Sequence, residues 1–344
     1  METKLRWGII GTGRIAGMFA EAVTHSKLGV LAAVGSRSQG SADEFADRFD
    51  IPNRHPSYDA LIADPTVDAI YISTPHPMHA EWAVKCAAGG KHILCEKPVT
   101  MNAADAVKVI EEVKRHDVFF MEAFMYRCNP QTARLIELIK DGAIGDLRII
   151  RASFGFHAPY NLEGRLLNNA LGGGGILDVG CYPISMSRLL AGVATGKPFA
   201  EPIEITGSGH VGEQSKVDEY ALATLKFEGN IVAQLSTAIQ CVLDNKVHLF
   251  GTDGQLIVET PWFGTGFEGG ESTIQVLPKE GDAYTVTVRS DEWLYGIEAD
   301  VVARNIDQRQ AAWPAMTWDD TIGNMRALDQ WRKAVGVSYE EDSR

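Results

Sequence analysis

Little in this chain suits a disulfide framework or a metal centre. Its five cysteines, Cys86, Cys95, Cys128, Cys181 and Cys241, are scattered, odd in number and never spaced C-x-x-C. Reduced thiols fit that pattern; a stapled scaffold does not, and no metal site is expected. Positive charge is scarce as well: 32 Lys and Arg face 45 Asp and Glu, a formal net charge of −13. Nucleic acid and membrane are therefore not expected as partners. Any anion site has to be built locally, from backbone amides and a few placed cations. No apolar run approaches a membrane span, and METKLRWGII leads straight into a strand with no signal core. A cytoplasmic protein is expected. There is no internal repeat and no low-complexity segment, and 344 residues suit two domains.

The most informative stretch is 89–98, GGKHILCEKP. It reads as a turn, a short buried strand and then Glu96-Lys97-Pro98. Proline has no N–H to donate, so it stops the ladder and favours an extended lysine before it. Ligands of open α/β sheets bind at the carboxyl ends of the strands. A lysine fixed there can aim its ammonium at an oxygen of a bound molecule, although a surface lysine beside a strand end has the same local sequence.

Upstream, an apolar run at 5–10 meets Gly11-Thr12-Gly13-Arg14-Ile15-Ala16, the pattern G-x-G-x-x-A, with helix-compatible sequence to about residue 23. Strand, glycine turn and helix N-terminus in that order make a pyrophosphate site. The first glycine permits the tight turn, the second admits the phosphate, and the small Ala16 lets helix pack on strand. The next strand, 30–34, ends in Gly35-Ser36-Arg37-Ser38 with no acid to accept from a ribose 2′-OH. Ser36 and Arg37 can instead hold a 2′-phosphate, which points to NADP over NAD. Ser41 is the expected cap of a helix over 42–49.

A third strand, 67–72, ends in Ser73-Thr74-Pro75-His76-Pro77-Met78-His79, a stiff loop at the carboxyl edge. His79 has the chemistry of a general acid or a metal ligand, but nothing nearby completes a metal set, and holding the loop as a shelf for the cofactor fits better. A helix over 78–88, the strand of the 89–98 stretch, a helix over 102–115 and a strand over 118–123 complete the alternation. Alternation of this kind implies a doubly wound parallel sheet. The expected cofactor contacts are Gly11, Thr12, Gly13, Arg14, Ile15, Ser36, Arg37, Ser73, Thr74, Pro75, His79, Glu96 and Lys97.

These motifs together resemble the glucose-fructose oxidoreductase/inositol dehydrogenase (Gfo/Idh/MocA) family. Met121-Glu122-Ala123-Phe124-Met125-Tyr126-Arg127 with Asn129-Pro130-Gln131, and the run from Gly172 through Asp178 to Tyr182-Pro183, resemble a narrower branch. That branch holds NADP-dependent D-xylose dehydrogenases and trans-dihydrodiol dehydrogenases. The resemblance implies that Lys97, Asp178 and Tyr182 line the substrate site. Tyr182 stands where inositol dehydrogenase-like members have histidine, which argues against inositol.

Beyond residue 131 the pattern changes to a helix over 132–140, a strand over 147–156, a polar loop with Arg165 and a four-glycine turn. An amphipathic helix over 176–190 would place Asp178 and Tyr182, spaced i, i+4, on one face. A phenol beside the Lys97 ammonium should have a lowered pKa and can then take a proton from an alcohol as hydride leaves. Read without that lysine, Tyr182 is a half-buried core tyrosine and Asp178 a carboxylate on the helix dipole. Arg165 could shape the pocket, contact the cofactor or form a surface ion pair.

Alternating segments follow from 203 to 288, with hairpin turns at 228–230 and 252–254. They predict a large, mostly antiparallel sheet, one face on helices and the other open; apolar and aromatic residues along it (Leu225, Phe227, Leu235, Phe250, Trp262, Phe263) suit the core first. Helices over 295–308 and 318–334 come last. The expected domains are 1–124 (Rossmann, NADP-binding), 125–315 (α+β, substrate and oligomerisation) and a helix within 316–344 packing back on the first. The expected activity is hydride transfer between NADP and a CH–OH group of a sugar or cyclic polyol, with Lys97 and Tyr182 handling the proton. Alternatives are a bound NADP shuttling hydride between two sugars, an aromatic trans-diol dehydrogenase and a non-catalytic NADP sensor. The family implies a homodimer or homotetramer through the open sheet face.

Overall fold

The computed structural model describes residues 4–343. In the first half, β1 (Leu5–Ile10), α1 (Arg14–Thr24), β2 (Gly29–Gly35), α2 (Gln39–Phe49), β3 (Asn53–His55), α3 (Tyr58–Ile62) and β4 (Ala69–Ile72) follow one another. They continue into α4 (His79–Ala88), β5 (His92–Glu96), α5 (Ala103–Arg115) and β6 (Phe120–Ala123). The strands form one parallel sheet in the order β3-β2-β1-β4-β5-β6. Helices cover both faces, so β4 and β5 are continuous apolar runs rather than alternating ones, and Ile70, Tyr71, Ile72, Ile93, Leu94 and Cys95 have no exposed surface. The order reverses between β1 and β4. A crevice forms there, at the carboxyl ends of the strands.

One local expectation fails. Ser38, not Ser41, caps α2: its extended backbone lets its side chain accept from the Ser41 amide, so the helix starts three residues earlier than the sequence suggests.

The second half runs through α6 (Met125–Cys128), α7 (Pro130–Lys140), β7 (Leu147–Gly155), α8 (Cys181–Ala194), β8 (Glu204–Val211), β9 (Asp218–Phe227) and β10 (Ile231–Ala238). Then come β11 (Val247–Gly251), β12 (Gly254–Val258), β13 (Gly270–Pro278), β14 (Tyr284–Ser290), α9 (Leu294–Asn305) and α10 (Trp318–Val335). The strands make a sheet ordered β14-β13-β12-β11-β7-β10-β9-β8. Every pairing is antiparallel except β7 with β10. Along β9 buried and exposed residues alternate: Ala221, Ala223, Leu225 and Phe227 point inward, while Tyr220, Leu222, Thr224 and Lys226 face out.

Helix α8 lies against the inner face and is apolar nearly all round because it is nearly all enclosed. The stretch Asn169–Ala194 is long and apolar enough to cross a membrane, yet its apolar window is wholly buried within the fold. Helix α10 touches both halves: the Asp329 carboxylate accepts from the Ala103 amide at the start of α5, and the Trp331 indole donates to Leu222 O on β9.

A charged network holds α6, α8 and α10 together inside the core. Arg127 and Arg188 each bond one oxygen of Asp320 at 2.6 Å, and neither guanidinium has exposed surface. Arg127 also donates to Ser185 Oγ and Pro314 O. Removing the shared carboxylate leaves the buried Arg127 with neutral acceptors alone and Arg188 with only the half-exposed Glu201, which it bonds at 2.7 Å, so Asp320→Ala should lower the unfolding free energy by about 3–5 kcal/mol. Denaturant unfolding of wild type and variant measures this, and a loss under about 1 kcal/mol would mean that water already reaches the pair.

Candidate active site

The site forms where the end of β1 meets the ends of β4 and β5. Gly11 adopts φ +100°, a conformation that favours glycine, and a Cβ there would press on Ser73 Oγ at 2.9 Å. Ser73 Oγ in turn donates to Ile10 O, tying β4 to β1 beside the turn. Gly13 is the N-cap of α1; it offers no side-chain cap, and a Cβ on it would project into open space. The amides of Arg14, Ile15 and their neighbours therefore face the crevice with the positive end of the helix dipole behind them. Thr12 and Ile15 are half-buried, Arg14 and Pro75 exposed. Thr74 Oγ1 is buried with no partner among the described residues. A backbone cradle with open space over its second glycine and an unmet hydroxyl beside it fits a dinucleotide.

At the end of β2, Ser36 is buried and its amide bonds His55 O. Arg37 is exposed, without a side-chain hydrogen bond or ion pair among the described residues. Because Ser38 does the capping, neither Ser36 nor Arg37 is taken up by the helix start.

The 73–79 loop is held from behind. His79 has no exposed surface, and its two ring nitrogens lie 2.8 Å from Pro98 O and Thr74 O. Burial pushes its pKa down to about 4 against the pull of those carbonyls. It braces the loop from behind by joining Pro98 O to Thr74 O. Glu96 is likewise behind the site: Tyr71 OH donates to it at 2.5 Å, and burial raises its pKa while the neighbouring Lys97 pulls the other way.

Lys97 crosses from β5 to the second half of the chain. Its ammonium donates to the backbone carbonyl of Asp178 at 2.8 Å, lies 3.9 Å from Asp178 Oδ1 and sits 5.2 Å from the Tyr182 ring centroid. Arg165 Nη1 donates to Asp178 Oδ1 at 2.8 Å from the loop side, its own side chain half exposed. Lys97, Arg165, Asp178 and Tyr182 thus come together. They are not on one regular helix, however. Ile176–Gly180 forms a π-helical turn and the α-helix begins only at Cys181. Single-turn π segments are frequent at functional sites, and four preceding glycines give no side-chain reason for a regular start.

The expected activation of Tyr182 is not what the structure shows. Burial raises the phenol's pKa well above its usual value, and Tyr295 and Glu96 push the same way. Lys97 faces the ring rather than the hydroxyl, which donates to Met125 Sδ at 3.4 Å. In this state Tyr182 is a neutral proton donor. Asp178 behaves oppositely: burial works to raise its pKa, but Lys97 and Arg165 together hold it below the ordinary carboxylate value.

Two features of the site were missed in the sequence. His76 is buried in the same pocket, Nδ1 3.2 Å from Gly172 O, and neutral because burial pushes its pKa well down. Only its place in the stiff loop hinted at it. The second is an aromatic wall. Phe124, Phe154 and Trp262 meet the Tyr182 ring edge-on at 5.1–5.7 Å, and Phe154 stacks on Trp262. Trp262 and Phe263, read from the sequence as residues along the sheet, come instead from a loop after β12, where strand periodicity does not reach.

Residues 5–124 match the model of an oxidoreductase family with an NAD-binding Rossmann fold, Gfo/Idh/MocA, and residues 132–257 match the C-terminal domain of the same family. The chain belongs to the Gfo/Idh/MocA family. Its relatives include the trans-1,2-dihydrobenzene-1,2-diol dehydrogenase of Mus musculus, 32% identical over 343 residues and 99% of each chain. The enzyme of that name from Xenopus laevis is 36% identical over 269 residues, 76% of each. Among solved structures, a 3-ketoreductase from Actinomadura kijaniata in complex with NADP and TDP-benzene superposes with TM-score 0.85 at 23% identity, over 97% of this chain and 98% of that one. An aldose-aldose oxidoreductase from Caulobacter crescentus, complexed with glycerol, gives TM-score 0.84 at 23% identity, over 99% and 98%. These two share the fold. As a Gfo/Idh/MocA member the chain is an NAD(P)-binding oxidoreductase, with a parallel Rossmann sheet followed by the large mixed sheet.

The charge arrangement has a pH signature. Because the folded-state pKa of Asp178 is depressed, the stability it contributes is complete above the unfolded value, near about pH 4, and is lost as pH falls through the lower folded value. Wild type should melt above Asp178→Asn at neutral pH, with the gap closing below about pH 4. A gap that stays constant into strong acid would show that the carboxylate's charge contributes nothing there.

Proposed function

We propose that this Gfo/Idh/MocA oxidoreductase acts on a CH–OH group carried by a ring, in a sugar or a cyclic vicinal diol, with NADP as its coenzyme. The observation that carries this is the Lys97 ammonium, pinned to the Asp178 carbonyl and set against the Tyr182 ring at the mouth of the dinucleotide cradle. NADP, when bound, supplies the hydride acceptor or donor at its nicotinamide. The backbone amides from Gly11 to Ile15 would hold its pyrophosphate, and Ser36 and Arg37 its 2′-phosphate. Lys97 has donors to spare for a substrate oxygen, and that oxygen sits in a field of two cations and one carboxylate, favourable to developing negative charge. Tyr182, a neutral phenol, gives its proton to a carbonyl oxygen in reduction; in oxidation the proton passes back to its phenolate, whose fraction grows with pH and which the raised pKa makes scarce near neutrality. Asp178 fixes Lys97 and Arg165. The aromatic residues packed around Tyr182 make the site apolar beside its charged mouth, which suits a ring substrate, and the diol dehydrogenase relatives favour a vicinal diol within this class.

The functional division that goes with this has the cofactor on 1–124 and substrate and subunit contacts on 125–315, with 316–344 bracing the two. A homodimer or homotetramer through the open sheet face is part of the proposal. Ile149 on β7 pairs across the ladder with Val232 on β10, and both are about two-fifths exposed (41% and 39%). Leu222 and Tyr220 extend the apolar face along β9.

The test is reduced-nicotinamide absorbance with NADP and NAD in parallel on trans-diols and aldoses. Tyr182→Phe should cost about a hundredfold or more in kcat with NADP still bound. Arg37→Ala should raise KM for NADP about tenfold and leave NAD unchanged. Wild-type rates with Tyr182→Phe, or equal effects of Arg37→Ala on both coenzymes, would contradict the roles given to these residues. By sedimentation, Ile149→Glu should shift the protein to monomer, and an unchanged oligomer would place the interface elsewhere.

A further inference from the structure

The four-glycine turn before Asp178 has no side chains to hold it, so its shape depends on what its peptide groups bond. Each of its carbonyls meets a group from a different place. Gly172 O faces His76 Nδ1 at 3.2 Å, Gly174 O accepts from the Asp178 amide, and Gly175 O accepts from Thr237 Oγ1 on β10. The remaining one, Gly173 O, accepts at 2.5 Å from the hydroxyl of Tyr339, 166 residues along the chain. Gly174, at φ +107°, lies so close that a Cβ on it would come within 3.3 Å of the same hydroxyl.

Tyr339 is delivered by the segment after α10. Gly336, in the left-handed region, turns the chain at the end of that helix. Asn169 then fastens the segment, its side chain donating to Ser338 O and accepting from the Glu340 amide. Arg332 bonds Asp342 and lies 5.0 Å over the Tyr339 ring, which is 2% exposed. From beneath, Asp218 accepts from the Ile176 amide at 2.7 Å. Such a construction is more than a surface tail needs, and it converges on the peptide groups that lead into the π turn and the Asp178 carbonyl.

We propose that Tyr339 is a positioning residue for the reaction: by holding the Gly173 carbonyl it fixes the turn that presents the Asp178 carbonyl to the Lys97 ammonium. The inference rests on the roles given above to Lys97 and Tyr182. Without the hydroxyl a buried carbonyl is unmet, and a glycine turn relaxes at little steric cost. Lys97 then loses its aim while the cofactor cradle, on the other half, keeps its shape.

The experiment compares wild type, Tyr339→Phe and, as a second way of loosening the same segment, Asn169→Ala, all as full chains with NADP. Tyr339→Phe should lower kcat about tenfold and leave NADP affinity by fluorescence within about twofold. Backbone hydrogen exchange of 172–178 should quicken, with exchange of 5–24 unchanged; Asn169→Ala should move both readouts the same way by less. Wild-type kcat together with wild-type exchange in Tyr339→Phe overturns the proposal, as does an equal loss of NADP affinity and of protection across both halves, which would mark a general structural role. Should wild type turn over no diol or sugar, the functional reading fails separately. The exchange comparison then decides: unchanged protection of 172–178 in Tyr339→Phe sinks the positioning role, and a local loss supports it.

Discussion

The Lys97 ammonium donates to the Asp178 carbonyl across the gap between the two sheets, and the geometry of the site follows from that one bond. It fixes a cation at the carboxyl end of β5, next to the switch point where a dinucleotide belongs. Lys97, Arg165 and Asp178 leave a local surplus of one positive charge in a chain whose net charge is −13. A substrate hydroxyl entering there meets the charge that best supports its oxygen as hydride leaves or arrives, already oriented and partly shielded from water.

Around those three charges, burial pushes the other titratable groups towards their neutral forms. His76 and His79 are pushed towards the free imidazole, and Glu96 and Tyr182 towards their protonated forms. In each case desolvation is the leading cause. The result is a shell biased towards neutral donors and acceptors behind a charged mouth. Asp178 escapes because two cations outweigh its burial. Deeper still, Glu298 on α9 is wholly buried with both carboxyl oxygens unpartnered among the described residues, and burial raises its pKa well above the usual value. It is biased the same way.

Features coded by a few adjacent residues were legible in the sequence. The glycine pattern from Gly11 to Ala16 and the Glu96-Lys97-Pro98 strand end both sit where their chemistry required, and so does the loop from Ser73. The β-α alternation and the hairpin turns gave the two sheets correctly, because turn chemistry and apolar runs are local signals. Harder cases involve competition or distance. Ser38 and Ser41 are both able to cap α2, and only backbone geometry chooses between them. The π turn at Ile176–Gly180 differs from an α-helix by one residue in the span of its hydrogen bonds, which periodicity does not resolve over so short a stretch. The sign of the Tyr182 shift was misread because sequence shows that a lysine is near but not that it faces the ring while burial dominates. Tyr339 reaching Gly173 belongs to tertiary structure alone.

The central claim is hydride transfer between a ring carbinol carbon and a nicotinamide held in the β1–α1 cradle. It is tested most directly by offering wild-type protein NADP with a trans-diol or aldose deuterated at the carbinol carbons, and reading the reduced coenzyme by NMR. The structure predicts deuterium at nicotinamide C4 on one face only, with none exchanged to solvent. Reduced coenzyme without label, or label recovered in water, would contradict direct transfer in this site.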